Sequence, residues 1–175
     1  HSDWHPFSYL NNSYHRDASV RNMADCATSL LLSPGIAQIF YGDETGRGLS
    51  EARLNVDSNQ AFRSDMNWNS IDTALLSHFR QLGKIRQSNP VIGTGKQLTL
   101  DTHSCIRYNN TERVLIKLFP EKYISVKGVF EDGSTLTELY TGQTSTVANG
   151  TVCFPKYENR IAIIKQLDQE GVSED

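Results

Sequence analysis

The sequence predicts two architectures in succession, an α/β half and then an all-β half. Three observations carry that expectation. As far as Pro90 the apolar residues recur at the 3.6-residue period of helices with one buried face, on either side of a short apolar run, Ile36–Tyr41. From about Lys96 the period becomes 2, in short runs separated by turn residues. The first half offers only two strand candidates, too few to close a sheet or barrel for its helices to cover. Residues 1–92 are therefore expected to be the end of a larger α/β domain whose beginning is missing here.

Pro6–Leu10 is a short extended run, and Asn11–Asp17 is polar and loop-like. A helix is expected over Ala18–Leu32, where Val20, Met23, Ala24, Ala27, Leu30 and Leu31 form one apolar stripe. Pro34-Gly35 stops it. The run Ile36–Tyr41 carries two β-branched residues and reads as a strand buried on both faces. Gly42-Asp43-Glu44 follows at its C-terminal end, the end where parallel α/β folds bind ligands. Asp43 and Glu44 themselves suit a structural role, fixing the turn. The polar segment Gly42–Thr73 is long for a connection within a compact domain, which favours a functional loop or disorder. A second helix is expected over Ala74–Gln87, with Leu75, Leu76, Phe79, Leu82 and Ile85 apolar, ending at Asn89-Pro90.

Seven strands are expected beyond that point: Gln97–Leu100, Cys105–Tyr108, Val114–Phe119, Tyr123–Phe130, Leu136–Tyr140, Thr151–Phe154 and Arg160–Leu167. Asn109-Asn110, Asp132-Gly133, Thr141-Gly142, Asn149-Gly150 and Glu158-Asn159 punctuate them. This spacing argues for an antiparallel Greek-key sandwich over 93–167, with a flexible acidic tail over 168–175. Tyr123, Phe130 and Tyr140 are expected in its core.

The 175 residues carry a net charge of −3 and 38% hydrophobic side chains, so no basic surface points to nucleic acid or an acidic membrane. No apolar run approaches the roughly 20 residues of a membrane span. The chain begins at His1 with neither Met nor signal peptide, as a processed or excised piece would. Its three cysteines are Cys26, Cys105 and Cys153. A Cys105–Cys153 disulfide and buried reduced thiols are both open, with reduced thiols the simpler reading, and the spacing matches no zinc site. His5, His78 and His103 belong to no ligand pattern. The sequons at Asn11, Asn109 and Asn149 imply glycans only on a eukaryotic secretory route.

Ser8-Tyr9-Leu10, the Leu-rich helix, Ser33-Pro34-Gly35-Ile36-Ala37-Gln38-Ile39-Phe40-Tyr41-Gly42-Asp43-Glu44, Arg63-Ser64-Asp65-Met66-Asn67-Trp68 and Ile92-Gly93-Thr94-Gly95-Lys96-Gln97 occur in that order. Together they resemble the C-terminal part of the α-amylase family, glycoside hydrolase family 13, and its bacterial periplasmic type in particular. The resemblance covers roughly residues 6–100. It implies the C-terminal end of a (β/α)8 barrel, its last two βα units within 1–92, followed by the family's C-terminal β-sandwich. It further implies retaining hydrolysis of α-1,4-glucans and an extracytoplasmic location, periplasmic or secreted. Such hydrolysis needs a nucleophile and a general acid/base, both carboxylic. The family carries these after strands four and five, which this chain lacks, so the chain alone is expected to be inactive.

The family's third carboxylate belongs to a His-Asp pair just after strand seven. Here Ser8-Tyr9-Leu10 is followed by Asn11-Asn12-Ser13-Tyr14 and then His15-Arg16-Asp17. With a loop two residues longer, Asp17 takes the catalytic carboxylate role and His15 binds sugar beside it. Without a gap, Ser13-Tyr14 replace the pair, and the parent is an amylase-like protein that binds glucan without cleaving it, since neither side chain offers a carboxylate against developing positive charge. Asp17 also suits the N-cap of the following helix. By the same resemblance Asp57 and Arg63 hold a glucose unit on the non-reducing side of the cut, although a surface ion pair fits them as well. Trp68 either stacks on a sugar or packs inward. The implied partners are an α-glucan or maltooligosaccharide and the missing N-terminal barrel portion. An orphaned apolar face also invites association with a second copy. No metal or cofactor is assigned within this stretch; calcium in the intact parent would be held mostly by upstream segments. A third reading takes the β module as a structural or carbohydrate-binding sandwich in its own right.

Overall fold

The computed structural model describes residues 20–48 and 63–167. The chain divides into two compact units, residues 1–88 and 89–175.

Among its described residues the first unit carries two long helices, α1 (Val20–Leu32) and α2 (Thr73–Ser88), which pack against each other. The apolar stripes read from the sequence face inward: Met23, Ala27 and Leu31 of α1 and Leu75, Phe79, Leu82 and Ile85 of α2 are buried. Asp72 caps α2, its carboxylate accepting the Leu75 N–H at 2.8 Å. Within the interface His78 Nε2 lies 2.9 Å from Thr28 Oγ1 and 3.1 Å from the Ala24 carbonyl. Burial lowers the His78 pKa below the usual histidine value, outweighing the opposite pull of that carbonyl and of Asp25. The end of α1 is closed by Arg86 of α2, which donates to the Leu31 and Ser33 carbonyls, each at 2.7 Å, and to that of Gly35. A cation at a helix C-terminus satisfies orphan carbonyls and opposes the helix dipole.

Ile36–Tyr41 departs from its expected form. No ladder runs through it, and Ile36 is fully exposed, with Ile39 at 42% and Tyr41 at 43%. The side chains have the strand chemistry, but a strand is a pairing, and no strand among the described residues of this unit lies beside it. The backbone donors and acceptors that would make a ladder are left to other partners.

The second unit opens with a short helix, α3 (Val91–Thr94), and continues, among its described residues, as eight strands. These are β1 (Lys96–Asp101), β2 (Ser104–Tyr108), β3 (Arg113–Leu118), β4 (Tyr123–Ser125), β5 (Thr135–Glu138), β6 (Gln143–Thr146), β7 (Thr151–Cys153) and β8 (Ile161–Gln166). All pairings are antiparallel, in a six-stranded sheet of order β1-β2-β3-β8-β5-β6 and a two-stranded sheet of β4 and β7. β8 enters between β3 and β5, closing the sheet with the last strand in sequence. Side chains of both sheets meet in one core, with Ile106, Leu115, Leu136 and Ile164 from the larger and Ile124 and Val152 from the smaller. This is a two-layered sandwich.

The strand pattern differs from expectation in two places, and one core residue is misplaced. β6 was absent from the seven, because Gln-Thr-Ser-Thr offers no apolar alternation; cross-strand pairing with β5 makes it a strand. The run expected over Tyr123–Phe130 ends at Ser125, and Val126 turns the chain, accepting from the N–H groups of Val129 and Phe130. Tyr123 is 62% exposed rather than in the core, while Phe130 is buried and Tyr140 half-buried. Cys105 and Cys153 are free thiols on different sheets.

Two buried ionic groups hold this unit. Arg107 on β2 donates to the Ile92 carbonyl at 2.9 Å, the Gly95 carbonyl at 2.5 Å and Gln97 Oε1 at 3.3 Å, which ties α3 to the sheet. Glu138 on β5 accepts the N–H groups of Tyr140, Thr141 and Ile163 and the Thr141 hydroxyl. No helix among the described residues is long and apolar enough to cross a membrane.

Candidate functional site

The polar turn after Ile36–Tyr41 is the part of the first unit where ligand chemistry was expected. Gly42 has φ 87° and Gly46 φ 69°, and they bracket a single 3₁₀ turn, Asp43–Thr45. Both glycines occupy the left-handed region, which reverses the chain so that the Arg47 N–H reaches the Gly42 carbonyl at 2.9 Å. Glu44 fixes the turn by accepting the Gly42 N–H at 2.9 Å. The Arg47 side chain then lies directly on Gly42; a Cβ there would come within 2.6 Å of Arg47 Cδ. Gly42 is thus required twice, for its dihedral and for the space.

Arg47, only 2% exposed, is the hub. Its Nε donates to the Tyr41 carbonyl at 3.1 Å, and its Nη1 donates to the Ser64 carbonyl at 3.1 Å and to Ser64 Oγ. The guanidinium carbon sits 4.2 Å from the Tyr41 ring centre and 5.5 Å from that of Phe40. Ser64 Oγ donates onward to the Gly48 carbonyl at 2.6 Å, and the Tyr41 hydroxyl donates to the Ser64 carbonyl at 3.1 Å. Asn67 completes the knot: its amide donates to the carbonyls of Thr45 at 2.8 Å and Ser70 at 3.0 Å, and its Oδ1 accepts from Thr45 Oγ1 at 2.7 Å. Residues 40–48 and 64–70 are therefore one hydrogen-bonded body.

Of the five site residues expected from sequence, His15, Asp17 and Asp57 lie outside the described residues, as do Ser13 and Tyr14. Arg63 and Trp68 are described. Each immediately flanks an anchored residue, Ser64 or Asn67, and each is exposed, Trp68 at 71%. Trp68 does not pack inward; the knot holds its backbone and leaves its ring at the surface. Sequence reasoning missed Arg47, Ser64 and Asn67. The signal available was the pair of glycines spaced around Asp43-Glu44-Thr45, which marks a reversal, but nothing local identifies which distant residues close it. Cys26 offers no nucleophile: burial first, then the carboxylates of Asp25 and Asp43, push its thiol up to about 11. Among the described residues no three His, Cys, Asp or Glu side chains gather as a cation site.

With this geometry in place, comparison with known proteins shows what the chain is similar to. No protein-family model matches the sequence. The periplasmic α-amylase of Escherichia coli (strain K12) is 36% identical over 116 residues, 62% of this chain and 17% of that protein. The amylopullulanase of Thermoanaerobacter thermohydrosulfuricus is 26% identical over 161 residues, 81% of this chain and 10% of that one. Among solved structures, the α-amylase of Geobacillus thermoleovorans complexed with acarbose superposes with a TM-score of 0.70 at 14% identity, covering 89% of this chain and 36% of the other. At that identity the superposition speaks for the fold. These relatives indicate an α-amylase-type glycoside hydrolase family. The chain is similar to the family's C-terminal portion, as its motifs suggested, and spans about a sixth or less of the two curated relatives' length.

Proposed function

We propose that this chain is the C-terminal portion of an extracytoplasmic, retaining α-amylase acting on α-1,4-glucans, and that it does not turn over substrate alone. The observation that carries the reading is the 36% identity to a periplasmic α-amylase over 116 residues. Retaining hydrolysis uses two carboxyl groups about 5–5.5 Å apart on either side of the glycosidic bond. The resemblance puts both upstream of this chain. What the chain supplies is substrate handling. Asp17 is the third carboxylate, stabilising the positive charge that develops on the sugar ring, with His15 beside it as a hydrogen-bond partner. Asp57 and Arg63 hold a neighbouring glucose unit through its hydroxyls, and Trp68 presents a ring face for stacking.

The knot around Arg47 supports this assignment. Arg63 and Trp68 are one residue from Ser64 and Asn67, whose hydrogen bonds fix the backbone without occupying the two exposed side chains. Binding groups on a braced backbone lose little entropy when a ligand arrives. The acarbose complex of the structurally similar α-amylase is in keeping with an oligosaccharide ligand.

The test is to join this chain to the N-terminal portion of its parent and assay α-1,4-glucan hydrolysis. The joined protein is expected to hydrolyse, and Asp17→Asn to lower kcat by about a hundredfold to a thousandfold with folding retained. A joined protein that folds and binds maltooligosaccharide without turnover would sink the catalytic reading in favour of a glucan-binding protein, the outcome that Ser13-Tyr14 favours.

A further inference from the structure

A cleft of about 520 Å³ opens on the second unit, where the β3–β4 connection passes the β1–β2 turn. Its volume falls within the roughly 300–1,000 Å³ usual for small-ligand sites. Two aromatic rings on its wall are poorly buried, Tyr123 at 62% and Phe119 at 47% exposed. One exposed aromatic needs no explanation, but two on one cleft form a patch.

Phe119 is also strained. Its φ is 51°, in the left-handed region that a bulky residue rarely enters. Arg160 and Asn159 are left-handed as well, at φ 56° and 48°, and the Phe119 N–H donates to the Arg160 carbonyl at 2.7 Å. The Arg160 guanidinium lies 4.8 Å over the Phe119 ring, and the His103 ring meets it perpendicularly at 5.2 Å. The backbone is held in an unfavourable conformation, yet the ring it carries is not buried in return. Strain that burial does not offset points to function.

The polar lining says what kind of ligand. Asp101 and Glu121 are matched by Lys117 and Lys127, so the cleft presents two carboxylates and two ammonium groups. Asp101 and Lys117 are paired at 3.1 Å. The Ser104 hydroxyl, the His103 N–H at 2.7 Å and Lys117 hold the Asp101 carboxyl well below the usual carboxylate range. A balanced set of charged donors and acceptors beside apolar ring faces does not select an anion or a cation. It suits a neutral polyhydroxyl ligand, whose C–H faces stack on the rings and whose hydroxyls both donate and accept.

We propose that this cleft is a second carbohydrate site, carried by the β-sandwich, that holds an α-1,4-glucan against Phe119 and Tyr123. The choice of α-1,4-glucan rests on the proposed function; the site itself rests on the cleft. Tyr123, expected in the core, lies instead on this cleft, and the site gives the β module a binding role.

The test is calorimetric titration of the full 175-residue chain with maltoheptaose and, separately, cellohexaose, on the unaltered chain, Tyr123→Ala, Tyr123→Leu and Phe119→Ala. Circular dichroism checks folding, and Tyr123→Leu keeps bulk on β4 should the alanine variant fail to fold. Maltoheptaose is expected to bind, about tenfold more weakly when either ring is removed. Binding that none of the folded variants weakens, or no binding of either saccharide, overturns the site. Preference for cellohexaose, lost in the variants, overturns the α-glucan assignment. Glucan hydrolysis by the chain joined to its N-terminal portion is a separate readout, so the proposed function stands or falls independently.

Discussion

Glu138 satisfies four donors with one buried carboxylate: three backbone N–H groups and the Thr141 hydroxyl. Removing the acceptor strands those donors in the interior, each costing on the order of 1–3 kcal/mol where water cannot replace it. Glu138→Ala is expected to lose about 3 kcal/mol or more in a urea titration; a loss below about 1 kcal/mol would mean water reaches the site. Gly42 makes a comparable demand through its backbone. Gly42→Ala places a Cβ against Arg47 at a left-handed φ, and a loss of about 2 kcal/mol is expected from strain and displacement together. His78 links the first unit to pH. Its folded pKa lies below the unfolded value of about 6.5, so folding favours the neutral ring. Its stabilising contribution is complete above about pH 6.5 and declines as pH falls from there toward the folded pKa. Thermal melts from pH 8 to 5 on the native chain and His78→Gln should show this share of the acid sensitivity only in the native chain.

At the scale of elements, Ile36–Tyr41 and β6 fail in opposite directions. Ile36–Tyr41 has the side chains of a buried strand and no ladder; β6 has the side chains of a loop and a full ladder with β5. Strand formation depends on a neighbour as much as on propensity. Amide hydrogen exchange tests the first case. Amides of residues 36–40 should exchange fast in this chain and, under the proposed function, become protected once it is joined to the N-terminal portion of an α-amylase. Protection already present in the chain alone would show that the segment has found another partner. The helices were easier to read because their pairing is local to the unit: the stripes on α1 and α2 meet each other. Even so, Arg86, which closes α1 from α2, was invisible in sequence, since its partners lie 51 to 55 residues away.

For the whole molecule, exposed Ile36, Ile39 and Tyr41 predict association when the chain is alone. Sedimentation should report a concentration-dependent rise in mass that Ile36→Lys reduces; a monomer at all concentrations would contradict it. The candidate site was legible in part. Gly42-Asp43-Glu44 marked the end of the apolar run where ligands were expected, and Ser64 and Asn67 of the Arg63–Trp68 motif join that turn in one hydrogen-bonded knot. Arg47 was not legible, because a lone arginine after a glycine looks like any solvated charge until Ser64 and Tyr41 are seen to receive it.

By itself the sequence determined the helix stripes, most of the strands and the likeness to the α-amylase family, because period, turn chemistry and motif order are properties of neighbouring residues. Tertiary structure decided which polar groups are buried, which strand pairs with which, and which aromatics remain outside. Tyr123 is the clearest case: its place on β4 follows from the alternation, but the face it shows depends on the register of β4 with β7 and on the turn at Val126. A hydrogen bond or a packed ring joins residues far apart in the chain, and its energy is realised only when folding brings both partners together.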